Sequence, residues 1–256
     1  MAENDWLQGR HALITGGGTG IGAATAAHLH AAGAKISVLG RRLEPLQKTA
    51  AIVGGTAIQC DVTDRAAIDC AFTEARTANG PIAFLIVNAG IGDSAPFQRT
   101  TREAWDKIIA TNLTSAFDCA QAALEDLTGQ DNSRMVFVAS VAGLKGAPYA
   151  APYAASKHGM VGLMRSLAEE FAKSCMTVNA VCPSFVDTPM VDETIARISR
   201  VSKRDESQSR QAIEAMNKHG RLVHPDAVAT MILTLCLPQS RDVNGAAIPI
   251  DGGTTA

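Results

Sequence analysis

The sequence has few aromatic residues, little net charge and no long apolar run. Of its 256 residues, 4% are Phe, Trp or Tyr, and 23 Lys and Arg nearly balance 25 Asp and Glu. A formal net charge of −2 gives no field that would attract nucleic acid or an anionic membrane. No uninterrupted apolar stretch approaches the ~18 residues that a membrane helix requires. Met1 to Arg10 lacks an apolar signal core. We therefore expect a cytoplasmic protein that binds neither nucleic acid nor membranes.

Cysteine motifs are also missing, although the sequence has six cysteines. None forms a Cys-x-x-Cys pair, and no histidine lies at zinc-finger spacing. We expect reduced, mostly buried thiols without disulfides, which is typical of the cytosol, and no metal site. The cysteines are Cys60, Cys70, Cys119, Cys175, Cys182 and Cys236.

The hydrophobic fraction of 46% is enough for a large core, and the length suits one α/β domain over 1–256. Short runs rich in Ile and Val alternate with Ala-rich helical patterns, which predicts parallel strands with helices on both faces of the sheet. The predicted strands are His11–Thr15, Lys35–Leu39, Thr56–Cys60, Ile82–Val87, Arg134–Ser140, Thr177–Cys182 and Ala246–Ile250. The predicted helices are Gly20–Ala32, Arg42–Ala51, Asp64–Ala78, Arg102–Leu127 and Ala151–Lys173.

One polar stretch, Asp192–Gly220, departs from this alternation and lacks a strand. It lies in an insertion near 189–220 that is either a mobile lid or a solvated helical surface. Its basic residues are Arg197, Arg200, Lys203, Arg204 and Arg210.

A Gly-rich turn follows the first predicted strand, and a helix begins at once. Glycine permits positive φ angles and a close approach of backbone N–H groups to a pyrophosphate. The helix N-terminus adds unpaired N–H donors and a favourable dipole. This order of strand, turn and helix predicts a nucleotide site rather than a structural turn. Its candidate binding residues are Gly16, Gly18, Thr19, Gly20 and Ile21.

Two arginines follow the second predicted strand, where an NAD site usually carries a carboxylate for the ribose 2′-hydroxyl. Arginine pairs a 2′-phosphate bidentately. Arg41 therefore favours NADP(H) over NAD(H). The alternative is that Arg41 and Arg42 form a solvated turn.

A second cluster combines Tyr153 with Lys157, four residues later and on the same helix face. A nearby ammonium favours the phenolate, so we expect a Tyr153 pKa lowered towards neutrality, as an acid/base catalyst needs. Ser140 lies near the end of a predicted strand, where α/β sheets place their ligand crevice. Its hydroxyl can donate to a substrate carbonyl oxygen.

Several ordered motifs make the chain resemble the short-chain dehydrogenase/reductase family from His11 to Gly253. The Gly-rich turn looks like the family's cofactor loop. Four residues match its catalytic tetrad: Asn112, Ser140, Tyr153 and Lys157. The remaining matches are the adenine-contact pair Asp61-Val62, the motif Asn88-Ala89-Gly90 after the fourth strand, Pro183, Val186 and Thr188 of the nicotinamide segment, and the C-terminal signature Asp251-Gly252-Gly253.

The resemblance implies a single-domain Rossmann fold with a seven-stranded parallel sheet, assembled as a homotetramer or homodimer. It also implies hydride transfer between nicotinamide C4 and a carbonyl or secondary alcohol carbon, without a metal. By this analogy Tyr153 is the acid/base and Lys157 lowers its pKa and holds the nicotinamide ribose. Ser140 orients the substrate oxygen, and Asn112 positions a water in a proton relay.

One departure from the family pattern concerns the nicotinamide segment, where Ser184 follows Pro183 and the family commonly has glycine. If the backbone there needs a positive φ, serine costs on the order of 1 kcal/mol.

The substrate is only partly indicated. The runs Ala151–Gly159 and Val178–Pro183 look most like reductases of 3-oxoacyl thioesters and polyketides. Basic side chains in 191–210 could meet the phosphates of coenzyme A or a carrier, although interspersed carboxylates favour a solvated helical face. The main alternative substrate is a free ketone or secondary alcohol of aryl, terpene or steroid type. The alternative of another class is a non-catalytic NADP(H) sensor, a kind of protein that usually loses the Tyr or the Lys.

The candidate pocket is apolar, and each of its residues is equally compatible with ordinary packing. The candidates are Ile91, Phe97, Val141, Leu144, Pro148, Tyr149, Phe185 and Met190. Helices Arg102–Leu127 and Ala151–Lys173 carry small or apolar residues on more than one face, which favours subunit packing.

Overall fold

A single parallel sheet organises the computed structural model, which describes residues 7–202 and 205–256. Lys203 and Arg204 of the polar insertion lie outside the described residues. Within these two ranges the sheet has seven strands in the order β3-β2-β1-β4-β5-β6-β7. The strands are β1 (His11–Thr15), β2 (Lys35–Gly40), β3 (Thr56–Gln59), β4 (Ile82–Val87), β5 (Arg134–Val138), β6 (Thr177–Pro183) and β7 (Ala247–Ile250).

Helices follow most of the strands and cover both faces of the sheet, as predicted. They are α1 (Gly20–Ala31), α2 (Leu43–Val53), α3 (Arg65–Asn79), α4 (Arg102–Ile109), α5 (Ser115–Thr128), α6 (Ala151–Glu170), α7 (Pro189–Ser202), α8 (Glu206–Glu214) and α9 (Pro225–Cys236). Apolar residues of α1, α2 and α9 pack on one face, and those of α3, α5 and α6 pack on the other. Alternate strand residues serve the two cores because successive side chains point to opposite faces.

The predicted strands are confirmed with small shifts at their ends, but one predicted helix is interrupted. Arg102–Leu127 consists of α4, a π-helical turn over Ala110–Thr114, and α5. β5 ends at Val138, so Ser140 lies two residues beyond the strand instead of ending it. The first difference places Asn112 in the π-helical turn, and the second places Ser140 in the loop after β5.

The strand order reverses between β1 and β4. In open α/β sheets, ligands bind beyond the carboxyl ends of the strands at such a switch point. The turn after β1 and the residues after β4 border this crevice. The polar insertion folds into α7 and α8. Val191 and Ile195 of α7, Ile213 of α8 and Leu222 of the following loop form a small cluster separate from both main cores.

The six cysteines are all free, four of them buried and two exposed, which agrees with the expected thiols. Across the described ranges, no helix combines the length and the apolar character needed to cross a bilayer.

Candidate active site and cofactor crevice

The Gly-rich turn forms the base of the crevice. Gly16 and Gly20 have φ angles of +66° and +55°, in the left-handed region that favours glycine. Thr19 precedes α1 in extended conformation, and its side chain makes no capping hydrogen bond. The first N–H groups of α1 therefore remain available to an anion. The predicted residues are all partly accessible: Gly16, Gly18, Thr19, Gly20 and Ile21.

Residues after β4 hold this turn in place. The Thr15 hydroxyl accepts hydrogen bonds from the backbone N–H groups of Asn88 (2.9 Å) and Ala89 (3.0 Å). The Asn88 side-chain amide donates to the carbonyls of Thr15 (2.9 Å) and Gly16 (3.1 Å). Asn88 and Ala89 thus lock the cofactor turn to β4. Gly90 keeps space open beyond them, since a Cβ there would lie 3.3 Å from Asn112 Oδ1.

The predicted adenine end combines Arg41, Asp61 and Val62. Arg41 is exposed after β2, and no ion pair within residues 7–202 and 205–256 engages it. The Asp61 carboxylate accepts from the backbone N–H of Thr63 (3.0 Å) and from its hydroxyl (2.8 Å). These bonds are the main cause of a lowered Asp61 pKa, and Arg41 adds a smaller effect. Val62 is buried beside them. The Arg41 guanidinium is therefore free for a ligand.

The catalytic candidates meet between α6 and the end of β5. The Lys157 ammonium lies 5.7 Å from the centre of the Tyr153 ring. It donates to the Val138 carbonyl at 2.8 Å. Ser140 begins a short 3-10 turn, where its hydroxyl accepts from the Ala142 N–H at 3.1 Å. The structure therefore brings Tyr153 and Lys157 together, as their spacing predicts, and the Ser140 hydroxyl lies within hydrogen-bond reach of the Tyr153 hydroxyl.

The predicted direction of the Tyr153 pKa is wrong for the chain by itself. Burial raises the pKa of Tyr153, and the nearby Ser140 hydroxyl partly opposes this effect. Burial also lowers the pKa of Lys157 to about 8. Burial therefore sets the direction of both shifts, and spacing along a helix does not reveal how deeply the two side chains are buried.

Asn112 lies in the π-helical turn and is fully buried. Its Oδ1 accepts from the Ile91 N–H (2.8 Å), and its Nδ2 donates to the Ile91 carbonyl (3.0 Å) and to Ser156 Oγ (3.2 Å). Ser156 in turn donates to the Tyr153 carbonyl at 2.7 Å. A chain of hydrogen bonds therefore links the loop after β4 to the first turns of α6.

Ser156 is the residue of this group that sequence reasoning missed. Its position three residues after Tyr153 is a weak signal, since serine at that spacing is compatible with an ordinary helix face. Only the π-helical turn opposite shows that Ser156 has a partner.

The predicted nicotinamide segment leaves β6 at Pro183. In the part of the chain that the structure describes, the residues other than glycine with positive φ are Asn132 and Tyr149, so Ser184 carries no such strain. Val186 pairs with Val223 in a short parallel bridge. Thr188 packs on the Gly-rich turn, since a Cβ at Gly20 would lie 2.9 Å from its methyl group. The crevice is therefore closed on this side by Thr188.

Aromatic side chains lie around the predicted substrate loops. Phe97 is 76% exposed and Tyr149 is 68% exposed. The Tyr149 carbonyl accepts from the Ala95 N–H at 2.8 Å, which ties the loop before α6 to the loop after β4. Arg197 of α7 contacts Asp93 of the same loop at 2.5 Å. The remaining wall candidates are half-buried (Ile91, Val141, Leu144, Phe185) or exposed (Pro148, Met190).

Comparisons with known proteins agree with this fold. The family model for short chain dehydrogenases matches residues 10–198. The 3-oxoacyl-[acyl-carrier-protein] reductase MabA of Mycobacterium bovis is 38% identical over 244 residues, which cover 95% of this chain and 92% of MabA. Levodione reductase of Leifsonia aquatica is 32% identical over 255 residues, covering 96% of this chain and 94% of that protein. A crystal structure of a variant actinorhodin polyketide ketoreductase with NADPH has a TM-score of 0.92 and 32% identity, and 99% of each chain is covered. The chain is an oxidoreductase that belongs to the short-chain dehydrogenase/reductase family.

Proposed function

We propose that the chain is an NADPH-dependent reductase of 3-oxoacyl thioesters. The observation that carries the reaction class is the meeting of Ser140, Tyr153 and Lys157 beside the Gly-rich turn. The substrate class is supported by the similarity to MabA, which covers nearly the whole chain.

The residues of the crevice fit a dinucleotide, because the glycine turn and the uncapped N–H groups of α1 follow β1, and the exposed Arg41 follows the neighbouring strand β2. When bound, the cofactor supplies the hydride chemistry, and the protein supplies orientation and electrostatics. The proposed contacts are Gly16, Gly18, Thr19, Gly20 and Ile21 for the pyrophosphate; Arg41, Asp61 and Val62 for the adenosine end; Asn88, Ala89 and Gly90 between them; and Tyr153, Lys157, Pro183, Val186 and Thr188 for the nicotinamide end.

Tyr153 is the proposed proton donor to the carbonyl oxygen. Burial raises the pKa of Tyr153, so the phenol stays protonated at neutral pH and is ready to act as an acid. Ser140 Oγ, which accepts from Ala142 N–H, still has its own proton to donate to the substrate oxygen. Lys157 holds the nicotinamide ribose, and Asn112 positions a water for proton relay.

Arg41 supports NADPH over NADH. Its guanidinium is exposed and unpaired within the described residues, and no carboxylate ends β2. A bidentate contact with a 2′-phosphate needs both conditions.

A free ketone is the second candidate substrate, and two observations favour it. The aromatic rings of Phe97 and Tyr149 are exposed near the crevice. The lid arginines that could meet a carrier phosphate are partly neutralised, because Arg197 pairs with Asp93, and Arg210 pairs with Asp187 and Asp192.

The assembly and location are further parts of the proposal. Phe117 and Trp105 remain 47% and 36% exposed on α5 and α4, which suits burial in a homotetramer.

The free thiols suit the cytoplasm. We also propose one domain over 1–256, with 189–220 as its lid.

The test is a turnover assay that follows absorbance of the reduced nicotinamide. NADPH and NADH are each tested with acetoacetyl-CoA, an aryl ketone and a cyclic ketone. Tyr153→Phe should abolish turnover and change the NADPH Kd by less than about threefold, because the hydroxyl serves chemistry more than binding. Turnover of free ketones alone would replace the thioester by the second candidate. NADPH binding without any turnover would favour a sensor.

A further inference from the structure

A buried asparagine outside the family motifs holds the nicotinamide segment. Asn217 lies between α8 and α9 and is 1% exposed. Its Oδ1 accepts from the Phe185 N–H at 3.2 Å, and its Nδ2 donates to the Phe185 carbonyl at 3.0 Å. Nδ2 also donates to the Arg221 carbonyl at 2.7 Å. The side chain thus binds both polar groups of one residue, as a neighbouring strand would.

The segment needs such a partner because the sheet ends just before it. The Ser184 N–H donates to the Ile250 carbonyl of β7 at 3.2 Å. Beyond this point the backbone bonds of the segment run to Asn217 and Val223. The Val223 N–H donates to the Phe185 carbonyl at 2.8 Å, and the Asp187 N–H donates to the Val223 carbonyl at 2.9 Å. Asn217 supplies the acceptor for the Phe185 N–H.

Phe185 is linked to the Gly-rich turn through Val186 and Thr188. Val186, the next residue, is buried, and its carbonyl accepts from the Thr188 hydroxyl at 3.2 Å. The Thr188 methyl group packs on Gly20. A shift at Phe185 therefore moves the wall of the crevice that faces the Gly-rich turn. Loss of Asn217 would leave the Phe185 N–H without its partner at a partly buried position, which destabilises this conformation of the segment.

We infer that Asn217 is a positioning residue that fixes the segment from Pro183 to Thr188 and thereby orients the nicotinamide. This inference rests on the proposed function, because the family resemblance assigns this segment to the nicotinamide. The Asn217 contacts are additional to the family motifs.

The test compares Asn217→Leu with a matched control, Asn179→Leu. Asn179 is also 1% exposed, and it also binds backbone groups: its Nδ2 donates to the Val243 carbonyl at 2.7 Å, and its Oδ1 accepts from the Ala246 N–H at 3.0 Å. It lies within β6, upstream of the crevice. Both variants remove a buried amide of the same kind, so they should lower Tm similarly.

Hydrogen exchange with and without NADPH is measured for peptides covering 16–22 and 183–188. In wild type, NADPH should slow exchange in both. In Asn217→Leu, we expect protection of 183–188 to fall by about fivefold or more while 16–22 stays protected. In Asn179→Leu, NADPH should protect both peptides as it does in wild type. Unchanged protection of 183–188 in Asn217→Leu, or an equal loss in the control, would overturn the inference.

Turnover gives a second readout and separates the two proposals. In Asn217→Leu, kcat should fall about tenfold or more, with the NADPH KM within about threefold, because misorientation affects the reacting end. If wild type shows protection by NADPH but reduces no ketone, the proposed function fails and the exchange comparison still decides the role of Asn217. If NADPH does not protect either peptide of the wild type, both proposals fail.

A second variant covers the case in which Asn217→Leu does not fold. Asn217→Asp has the same shape and keeps an acceptor for the Phe185 N–H, but it cannot donate to the Phe185 and Arg221 carbonyls when ionised. It should reduce the protection of 183–188 by NADPH about twofold or more. Wild-type protection in this variant would also overturn the inference.

Discussion

Replacing Ser156 with alanine should slow turnover without unfolding the protein. The Ser156 hydroxyl is fully buried between Asn112 Nδ2 and the Tyr153 carbonyl. Removing it disconnects the π-helical turn from α6 and frees Tyr153 and Asn112 to shift relative to each other. Positioning errors of this kind reduce catalysis more than binding.

The magnitude follows from the two hydrogen bonds. A neutral hydrogen bond contributes roughly 0.5–1.5 kcal/mol net, and Asn112 Nδ2 keeps the Ile91 carbonyl as a second acceptor. We therefore expect a loss of about 1–2 kcal/mol of transition-state stabilisation, which is a fall in kcat of roughly fivefold to thirtyfold. Alanine gains about 0.5 kcal/mol of helix propensity over serine, which offsets part of the lost stability. The effect on kcat should therefore exceed the effect on the free energy of unfolding.

The assay measures kcat, the NADPH KM and urea unfolding for Ser156→Ala and for a matched control, Ser166→Ala. Ser166 lies on the same helix, and its hydroxyl donates to the Gly162 carbonyl at an exposed position. The control should turn over at the wild-type rate. A Ser156→Ala enzyme within twofold of wild type, or an equal loss in Ser166→Ala, would refute the reasoning.

Three further predictions concern charge. Arg41→Ala should weaken NADPH binding by roughly tenfold to a hundredfold, because a charge-assisted bond contributes about 1.5–3 kcal/mol, and should leave NADH affinity nearly unchanged; equal losses for both cofactors in titrations would contradict it. Lys157→Met should abolish turnover yet raise the free energy of unfolding at pH 7 by on the order of 2 kcal/mol, because burial lowers the folded pKa of Lys157 from 10.5 to about 8. The buried ammonium destabilises the wild type fully below pH 8, and this destabilisation disappears as the pH rises towards 10.5. In denaturant titrations, the difference in free energy of unfolding between Lys157→Met and wild type should therefore vanish near pH 10 to 11. A difference that does not change with pH would exclude burial of the charge as its cause. His11→Gln should flatten the loss of stability as pH falls from 7 to 5, because burial lowers the pKa of His11 from 6.5 and the neutral ring bonds the Gly80 carbonyl and Ser37; parallel stability curves for the variant and wild type would contradict this.

The central strands were predictable because they are short, mostly apolar runs that the fold buries. β4 is buried at every position, and β1 likewise, as expected for strands covered on both faces. The π-helical turn was not predictable in this way. Its sequence continues the helical pattern of α4, and the bonds that Asn112 makes to Ile91 and Ser156 come from other elements. π-Helical turns frequently occur at functional sites.

For the catalytic candidates too, local spacing was predictable and long-range surroundings were not. Tyr153 and Lys157 could be paired from sequence because four residues make about one helical turn. The direction of the Tyr153 pKa could not be predicted, because it depends on how much water the fold removes from the phenol. The partners of Arg197 and Arg210 could not be predicted either, since these side chains meet carboxylates far away in the chain or on neighbouring elements.

The sequence by itself determined the strand and helix order, the glycine turn and the Tyr153–Lys157 spacing, because these depend on neighbours within a few residues. The tertiary structure alone decided the partners of Asn112, Ser156 and Asn217, and the pKa of Tyr153. Each depends on groups brought together from distant parts of the chain, and on the loss of water that their contact causes.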